Sequence, residues 1–383
     1  MFYIKSRFPF ILICMSLLSC SFNPQVTNNI KDQTYISKSN IEINSRGYPK
    51  KLNVFYLDSK PEDFIEGIYV NFFLTKKQFA YVPELLFVNL LDSKDCKRLE
   101  IEKDSYSIIY LNDKNLKKLT LDCLSKIKKS SGIVINFSKN NFSIEGDYKI
   151  LLVERIKTIK DLTSYARENG SMKTIIIDDE STNDKEAIKN LWEVSGGKVI
   201  ATATLNNESE SQKLLSRVLL LGQSEIRKRK LSRKIGLPLE NKIRRRQDVD
   251  SFIISTNLEN ARNLRPAFEY NFANLLPVYF IPSWNSDEVF KDKEHDLERS
   301  VITDMPLILK SKIEPSSLNK VKKSRKFAAG YDAFELAILL NNEGDIEYFG
   351  MMGFISNKSK DLRLQTLRAE VIEGKFKYLN YSD

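Results

Sequence analysis

From residue 51 onward, short apolar runs alternate with longer segments whose apolar positions recur every three or four residues. The runs, such as KLNVFYL at 51–57, predict strands, and the longer segments predict helices, each with one apolar face. The predicted strands are residues 51–57, 85–91, 107–111, 133–137, 149–154, 173–178, 198–204, 251–256, 277–281, 300–308, 347–355 and 364–372. The predicted helices are residues 62–74, 115–128, 160–169, 183–194, 211–234, 259–271 and 327–340.

Strand, helix and strand follow one another at 251–256, 259–271 and 277–281, which is the spacing of a βαβ unit. This arrangement predicts a parallel sheet covered by helices. The pattern of predicted strands and helices changes near Ile156, and this change divides the chain into two αβ halves of similar size. The last helix and strands are expected to return to the first half, so the pattern predicts a bilobal α/β protein.

The chain is basic, with 60 Lys and Arg against 50 Asp and Glu and a formal net charge of +10. Such a balance suits nucleic acid, an anionic membrane surface or an acidic partner. Residues 1–19 predict a secretory signal peptide, because Lys5 and Arg7 precede an apolar run too short to span a bilayer. Export argues against nucleic acid as a partner.

The signal ends in Leu-Leu-Ser-Cys, which resembles the bacterial lipobox and makes Cys20 the expected lipidation site. An ordinary signal peptide with an incidental cysteine is the alternative. Ser21, where an Asp would favour inner-membrane retention, points to the outer membrane. Residues 20–50 are polar and are expected to be a flexible tether. The expected location is therefore the periplasmic side of the outer membrane, by a lipid anchor.

Cys96 and Cys123 remain once Cys14 and Cys20 are assigned to the signal and the anchor. In an oxidising compartment the two could form a disulfide. The competing interpretation is two small buried apolar side chains.

The sequence offers little for catalysis or cofactor binding. His295 is the single histidine and lies in a charged stretch, no nucleophile-elbow or phosphate-binding glycine motif occurs, and cysteines at metal-ligand spacing are absent. The acidic run Asp178-Asp179-Glu180 ends a predicted strand, where such residues are common in turns. We therefore expect no catalytic residue, no metal and no cofactor.

Arg244, Arg245 and Arg246 stand directly before the strand at 251–256. They can pair with a nearby carboxylate such as Asp248 or Asp250, or with an acid on another protein. The helix predicted at 211–234 also ends in a dense basic run, and residues 320–326 are basic. A solvated face is the usual meaning of such a run, and anionic lipid or an acidic patch on a partner are the alternatives.

The segments RRRQDVDSFIISTNLENARNLRPAFEYNFANLLPVY, DLERSVITDMPLIL and AAGYDAFELAILL resemble the LppC/LpoA family of bacterial outer-membrane lipoproteins, most tightly over residues 173–355. The resemblance implies a protein that binds and stimulates a class A penicillin-binding protein, and so regulates peptidoglycan synthesis. The signature or interface candidates are Arg244, Arg245, Arg246, Asp248, Asp304, Tyr331 and Asp332. Asp304 and Asp332 are the acids expected to hold the arginines.

The resemblance further implies a type I periplasmic-binding-protein fold, with two doubly wound parallel-sheet lobes joined by crossing strands. Lobe one is then residues 51–155 plus 325–383, and lobe two is residues 156–324. Better-known members carry a helical-repeat domain ahead of this part, so the chain resembles their C-terminal domain alone. A periplasmic binding protein for a small, amino-acid-like molecule is the alternative function, since such relatives line the cleft with small hydroxyl side chains, here Ser59, Ser181 and Thr182.

Overall fold

The computed structural model describes most of the chain from residue 49 onward, and all described residues fall within one compact unit. The described ranges are 49–57, 60–78, 82–90, 101–102, 104–112, 121–138, 144–206, 211–238, 244–284, 289–309, 318, 321–342, 345–357 and 361–379. The predicted signal peptide, Cys20, the tether up to residue 48, Ser59 and Cys96 lie outside these residues. Among the described helices none has both the length and the apolarity needed to cross a bilayer.

Strands and helices alternate along the described chain. The strands are β1 Lys51–Tyr56, β2 Glu84–Asn89, β3 Ser105–Leu111, β4 Ser131–Asn136, β5 Asp147–Leu152, β6 Lys173–Asp179, β7 Lys198–Leu205, β8 Ser251–Thr256, β9 Val278–Pro282, β10 Ser300–Asp304, β11 Glu347–Phe349, β12 Phe354–Asn357, β13 Asp361–Gln365, β14 Leu367–Ile372 and β15 Lys375–Leu379. The helices are α1 Glu62–Gln78, α2 Leu121–Ile127, α3 Arg155–Glu168, α4 Lys185–Val194, α5 Ser211–Val218, α6 Leu221–Ile235, α7 Leu258–Tyr270, α8 Pro306–Leu309 and α9 Arg325–Asn342.

Two sheets organise these elements. The first has the order β11-β12-β13-β5-β4-β3-β1-β2 and the second the order β15-β14-β10-β9-β8-β6-β7. Strands β1 to β5 are mutually parallel, as are β6 to β10, and each set has the strand order of a doubly wound fold. The predicted bilobal α/β class is confirmed. We call the first sheet with its helices the first lobe, and the second sheet with its helices the second lobe.

The strand predicted at 364–372 is in fact two strands in two different sheets. The chain leaves the first sheet after Gln365, passes the buried Thr366, and enters the second sheet at Leu367. Because β14 pairs antiparallel with β10 and then with β15, residues 367–379 belong to the second lobe. Their assignment to lobe one was wrong, since an alternating apolar pattern does not say which sheet a strand joins.

The helix predicted at 211–234 breaks at Leu220, whose φ is 58°. This left-handed residue separates α5 from α6 and allows both Leu219 and Leu221 to be buried in the core of the second lobe. The Arg246 backbone N–H donates to the Leu219 carbonyl at 3.0 Å, which satisfies an acceptor released by the break. A straight helix would have turned one of these leucines towards solvent.

In the first lobe, α1 packs directly against α9 through two glycines. A Cβ at Gly330 would lie 1.9 Å from the Phe64 carbonyl oxygen, and one at Gly67 would lie 2.3 Å from the Phe327 carbonyl oxygen. Only residues without a side chain permit this backbone approach. Asn71 secures the pair by donating from its side-chain amide to the Tyr331 carbonyl at 2.8 Å.

Candidate functional site

The two lobes meet at the carboxyl ends of their parallel strands. Strand β5 leads through two residues into α3 of the second lobe, and the Arg155 side chain at the start of α3 reaches the carboxyl ends of β8 and β9. From the end of β10, Met305 and Ile308 pack into the core of the first lobe. Since ligands of doubly wound folds bind beyond the carboxyl ends of the strands, this junction is the candidate ligand site.

Arg155 fills the second-lobe side of the junction. Its guanidinium donates to Asp184 Oδ2 at 2.7 Å, to Ser255 Oγ at 2.8 Å and to the Ile281 carbonyl at 3.2 Å, and also to the Pro282 carbonyl. Ser255 Oγ donates to Asp184 Oδ2 at 2.8 Å. Burial lowers the pKa of Arg155, and the attraction of Asp184 opposes this effect. A partly buried ion pair thus stands where the crossing helix meets two strand ends of the second lobe.

Asp179, at the end of β6, is held by a second set of contacts. Its Oδ1 accepts from the Ser181 backbone N–H at 3.0 Å and from the Ser181 hydroxyl at 2.5 Å. Its Oδ2 accepts from the Asn257 backbone N–H at 2.9 Å and from Asn260 Nδ2 at 2.8 Å. The Thr182 hydroxyl donates to the Ser255 carbonyl at 2.8 Å. Ser181 and Thr182, two of the three hydroxyl side chains expected to meet a ligand, therefore bind within the chain.

A second buried ion pair lies where β10 returns to the first lobe. Arg325 Nε donates to Asp304 Oδ1 at 3.0 Å, and the Met305 backbone N–H donates to the same oxygen at 2.7 Å. The Arg325 guanidinium carbon stands 5.5 Å from the centre of the Trp284 ring, within the range of a cation–π contact. Asp304 is fully buried, so it is part of the junction's interior and not of an exposed interface.

The arginine segment, residues 244–246, precedes β8 and therefore lies near the amino ends of the strands of the second sheet, away from the junction. Arg246 makes two 2.7 Å hydrogen bonds to the carboxylate of Asp248, which lower the pKa of Asp248 to about 2. Asp250 instead accepts from the backbone N–H groups of Met172 and Lys173. Of the two expected partners of the arginines, Asp248 is the one that pairs, and it does so with Arg246.

The expectation that Asp304 and Asp332 hold the arginines was wrong. Asp304 pairs with Arg325, and Asp332 accepts from the Tyr348 hydroxyl at 3.0 Å and from the Met351 and Met352 backbone N–H groups at 2.9 and 2.6 Å. Asp332 thereby holds the turn of the β11–β12 hairpin, which the sequence had predicted as one strand over 347–355.

Tyr331 and Asp332 are both buried in the core of the first lobe. A Cβ at Gly350 would lie 2.4 Å from Asp332 Oδ1, so the hairpin turn requires glycine beside this carboxylate. Burial raises the pKa of Asp332 to about 7, against the lowering effect of its hydrogen bonds. The segment around Gly330 is thus a packing element, and the pattern of apolar neighbours in AAGYDAFELAILL was the signal for this role.

Cys123 is buried and takes part in a disulfide. The other three cysteines of the sequence lie outside the described residues, so the pairing of Cys96 with Cys123 stays a prediction. His295 is exposed in a short 3₁₀ turn, His295–Leu297. The described residues contain no group of three or more His, Cys, Asp or Glu placed to hold a metal ion.

Sequence reasoning did not single out Arg155, Asp184 and Arg325. Each is a polar residue at the start of a helix, where charged side chains are common, and nothing local marks it as buried. Their partners are distant in sequence: Arg155 reaches residues 100 and 126 positions away. Only the folded sheets bring these groups together.

Comparison with known proteins gives a consistent result. Residues 178–366 match the family model described as "LppC putative lipoprotein". Full-length LpoA from Haemophilus influenzae has a similar structure, with a TM-score of 0.57 and 10% identity, covering 87% of this chain and 59% of that one. The chain therefore spans less than two thirds of the length of full-length LpoA. No protein of curated function matches the sequence.

Two further structures share the fold. The C-domain of H. influenzae LpoA, described as a regulator of PBP1A, matches with a TM-score of 0.57 and 11% identity, covering 86% of this chain and 100% of that domain. A Chromobacterium violaceum structure described as a putative branched-chain amino acid ABC transporter matches with a TM-score of 0.58 and 13% identity, covering 84% and 99%. With the family model matched over residues 178–366 and the LpoA fold present across most of the chain, the predicted resemblance to the LppC/LpoA family is confirmed.

Proposed function

We propose that this protein is an outer-membrane lipoprotein that binds a class A penicillin-binding protein and stimulates its synthesis of peptidoglycan. The observation that carries the proposal is the match of residues 178–366 to the LppC family model, together with a fold that covers 100% of the LpoA C-domain, whose description is a regulator of PBP1A. The proposed anchor is a lipid on Cys20, and the proposed location is the periplasmic side of the outer membrane.

The internal pairing at the junction supports a regulator over a binding protein for amino acids. An amino acid needs free donors and acceptors at the carboxyl ends of the strands to hold its charged groups. In the second lobe the carboxylate of Asp179 already accepts four hydrogen bonds and that of Asp184 accepts two, and Arg155 donates to four groups. A ligand that bound Arg155 or Asp184 would first break their partly buried ion pair, and one that bound Asp179 would first displace its internal donors, and both are costly.

Activation would act through differential binding. A protein that binds one conformation of its partner more tightly than the other shifts the partner towards that conformation, by as much as the two affinities differ. The binding energy would come from a few well-placed side chains of an exposed surface. Among the candidate residues, Arg244 and Asp248 are exposed, whereas Asp304, Tyr331 and Asp332 are buried and act by shaping the lobes.

The test is affinity capture with the full-length, lipid-modified protein as bait in solubilised envelopes of its source cell. We expect a class A penicillin-binding protein among the recovered proteins, and faster peptide cross-linking when the two purified proteins are combined. A matched bait with Cys20→Ser should lose its attachment to the outer membrane. It should still bind the penicillin-binding protein in detergent, because the proposed anchor is separate from the folded lobes.

Recovery of no penicillin-binding protein would contradict the proposal. So would binding without any change in the partner's cross-linking rate.

A further inference from the structure

Helix α6 stands at the end of the molecule opposite to the point where the chain enters the first lobe. The carboxyl ends of both sheets face the junction, so their amino ends point outward. Lys50, at the outward end of β1, donates its backbone N–H to the Asp104 carbonyl at 3.2 Å. The arginine segment before β8 occupies the outward end of the second lobe.

Only the first turn of α6 is built into the lobe. Leu221 and Ser224 are its buried residues. The Arg244 backbone N–H donates to Ser224 Oγ at 3.3 Å, and Arg246 binds the carbonyl that precedes the helix. The arginine segment thus braces the base of the helix. Beyond this base every side chain from Glu225 to Ile235 is exposed or partly exposed, over about 15 Å of helix.

The exposed part of α6 is strongly basic. It carries one acid, Glu225, whose carboxylate pairs with Arg229 at 2.6 Å. Its six basic residues are Arg227, Lys228, Arg229, Lys230, Arg233 and Lys234. Like charges at this density repel one another across successive turns, so the isolated helix is disfavoured by its own surface. An acidic surface opposite the helix would turn this repulsion into attraction.

The same helix leaves apolar side chains without cover. Leu231 and Ile235 are each 50% exposed. Leu231 stands seven residues, or about two turns, after Ser224, and Ile235 four residues after Leu231, so both lie on the face that begins with the buried Leu221 and Ser224. A docking helix typically combines such an apolar face with charged flanks.

We infer that α6 is a docking arm that lies on an acidic protein surface of the class A penicillin-binding protein. This inference rests on the proposed function and adds the contacting element and the charge of the partner's site. An acidic protein fits better than an anionic lipid for two reasons. The arm lies at the end away from the chain's entry. Its three exposed aliphatic residues, Ile226, Leu231 and Ile235, include no aromatic one and form no broad face for a bilayer, because Ile226 lies on a different side of the helix from the other two.

The test compares three forms of the full-length protein for binding to the purified penicillin-binding protein in detergent. The first is the wild type, and the second is the triple variant R227E/R229E/K230E. The control is K76E/K77E/K129E, which makes the same charge change at exposed lysines of the first lobe. We expect at least a tenfold loss of affinity for the second, less than a threefold change for the control, and weaker wild-type binding as salt rises.

The outcomes separate the two proposals. If the wild type binds no class A penicillin-binding protein, the proposed function fails. If the wild type binds and R227E/R229E/K230E binds equally well, the proposed function stands and the docking arm is wrong.

A photo-activated cross-linker at position 234 in intact envelopes identifies what the arm touches. An adduct with the penicillin-binding protein supports the inference, and adducts with lipid alone overturn it. Matched melting temperatures of the three forms establish that a loss of binding is not a loss of folding.

Discussion

Buried carboxylates in this protein are held by specific donors, and the donors decide what each carboxylate does. Asp304 is neutralised by an arginine in an ion pair, so it joins two crossing segments. Asp332 instead accepts hydrogen bonds from two backbone N–H groups and one hydroxyl. Burial without a cation makes the charged form of Asp332 expensive, which is why its pKa rises to about 7.

The raised pKa of Asp332 predicts a pH dependence of stability. Its unfolded value is 3.8, so between about pH 4 and 7 the native state keeps a proton that the unfolded state has lost. The free energy of unfolding therefore falls as pH rises through this window. Asp332→Asn removes the titration, so the wild type should lose at least about 1 kcal/mol relative to the variant between pH 4.5 and 7.5.

Urea unfolding of both proteins at several pH values measures this difference. Other titrating groups are common to the two proteins and cancel. A difference that stays constant with pH would show that Asp332 does not bind the proton.

At the scale of elements, helices α1 and α9 pack closely because each has a glycine, Gly67 and Gly330, where the two backbones meet. The Phe64 carbonyl occupies the space where a Cβ of residue 330 would stand. This contact holds a helix near the start of the described chain against one near its end, and so fixes the return of the chain to the first lobe. The glycine in the family signature is explained by this contact.

Gly330→Ala should therefore destabilise the protein by about 2–3 kcal/mol, because the two backbones must move apart. Gly222→Ala is the matched control, since a Cβ there meets nothing within 4 Å and the residue lies in helix α6. The control should be neutral or more stable by about 0.5–1 kcal/mol, as expected for glycine in a helix. Equal effects of the two substitutions on urea midpoints would disprove the close-contact explanation.

At the scale of the whole molecule, two ion pairs stand where the chain passes between the lobes, and the one that joins the lobes is Arg325 with Asp304. Arg155 with Asp184 belongs to the first crossing, and Arg325 with Asp304 to the return. The two arginines are close enough that Arg325 contributes to lowering the pKa of Arg155. The Arg325–Asp304 pair links a helix of the first lobe to a strand end of the second, which supports the proposed regulator over a ligand-binding protein.

We accordingly predict that 1 mM leucine, isoleucine and valine leave the melting temperature of the purified protein unchanged. A ligand with a dissociation constant of about 10 μM would stabilise the protein by about 2.7 kcal/mol at that concentration and raise the melting temperature by several degrees. Such a rise in a thermal-shift assay would restore the amino-acid-binding alternative. The alternative would then explain the shared fold with the C. violaceum protein directly.

The alternation of strands and helices, the two αβ halves and the resemblance to the LppC/LpoA family could all be predicted from the residues, because each depends on local periodicity or on short motifs. The sequence also located the arginine segment and the basic helix end, since charge density is read directly from the residues. The pairing of Arg246 with Asp248 could also be predicted, because the two residues lie only two positions apart in the sequence.

Three features could not be predicted from the sequence: which sheet β13 and β14 each join, where α5 ends and α6 begins, and which acidic side chains are buried. These features depend on contacts between residues far apart in sequence. The periodicity of 364–372 is the same whether its partner is β5 or β10, and the break at Leu220 follows from the need to bury Leu219 and Leu221 together. Local patterns specify which face of an element is apolar, and only packing decides what that face covers.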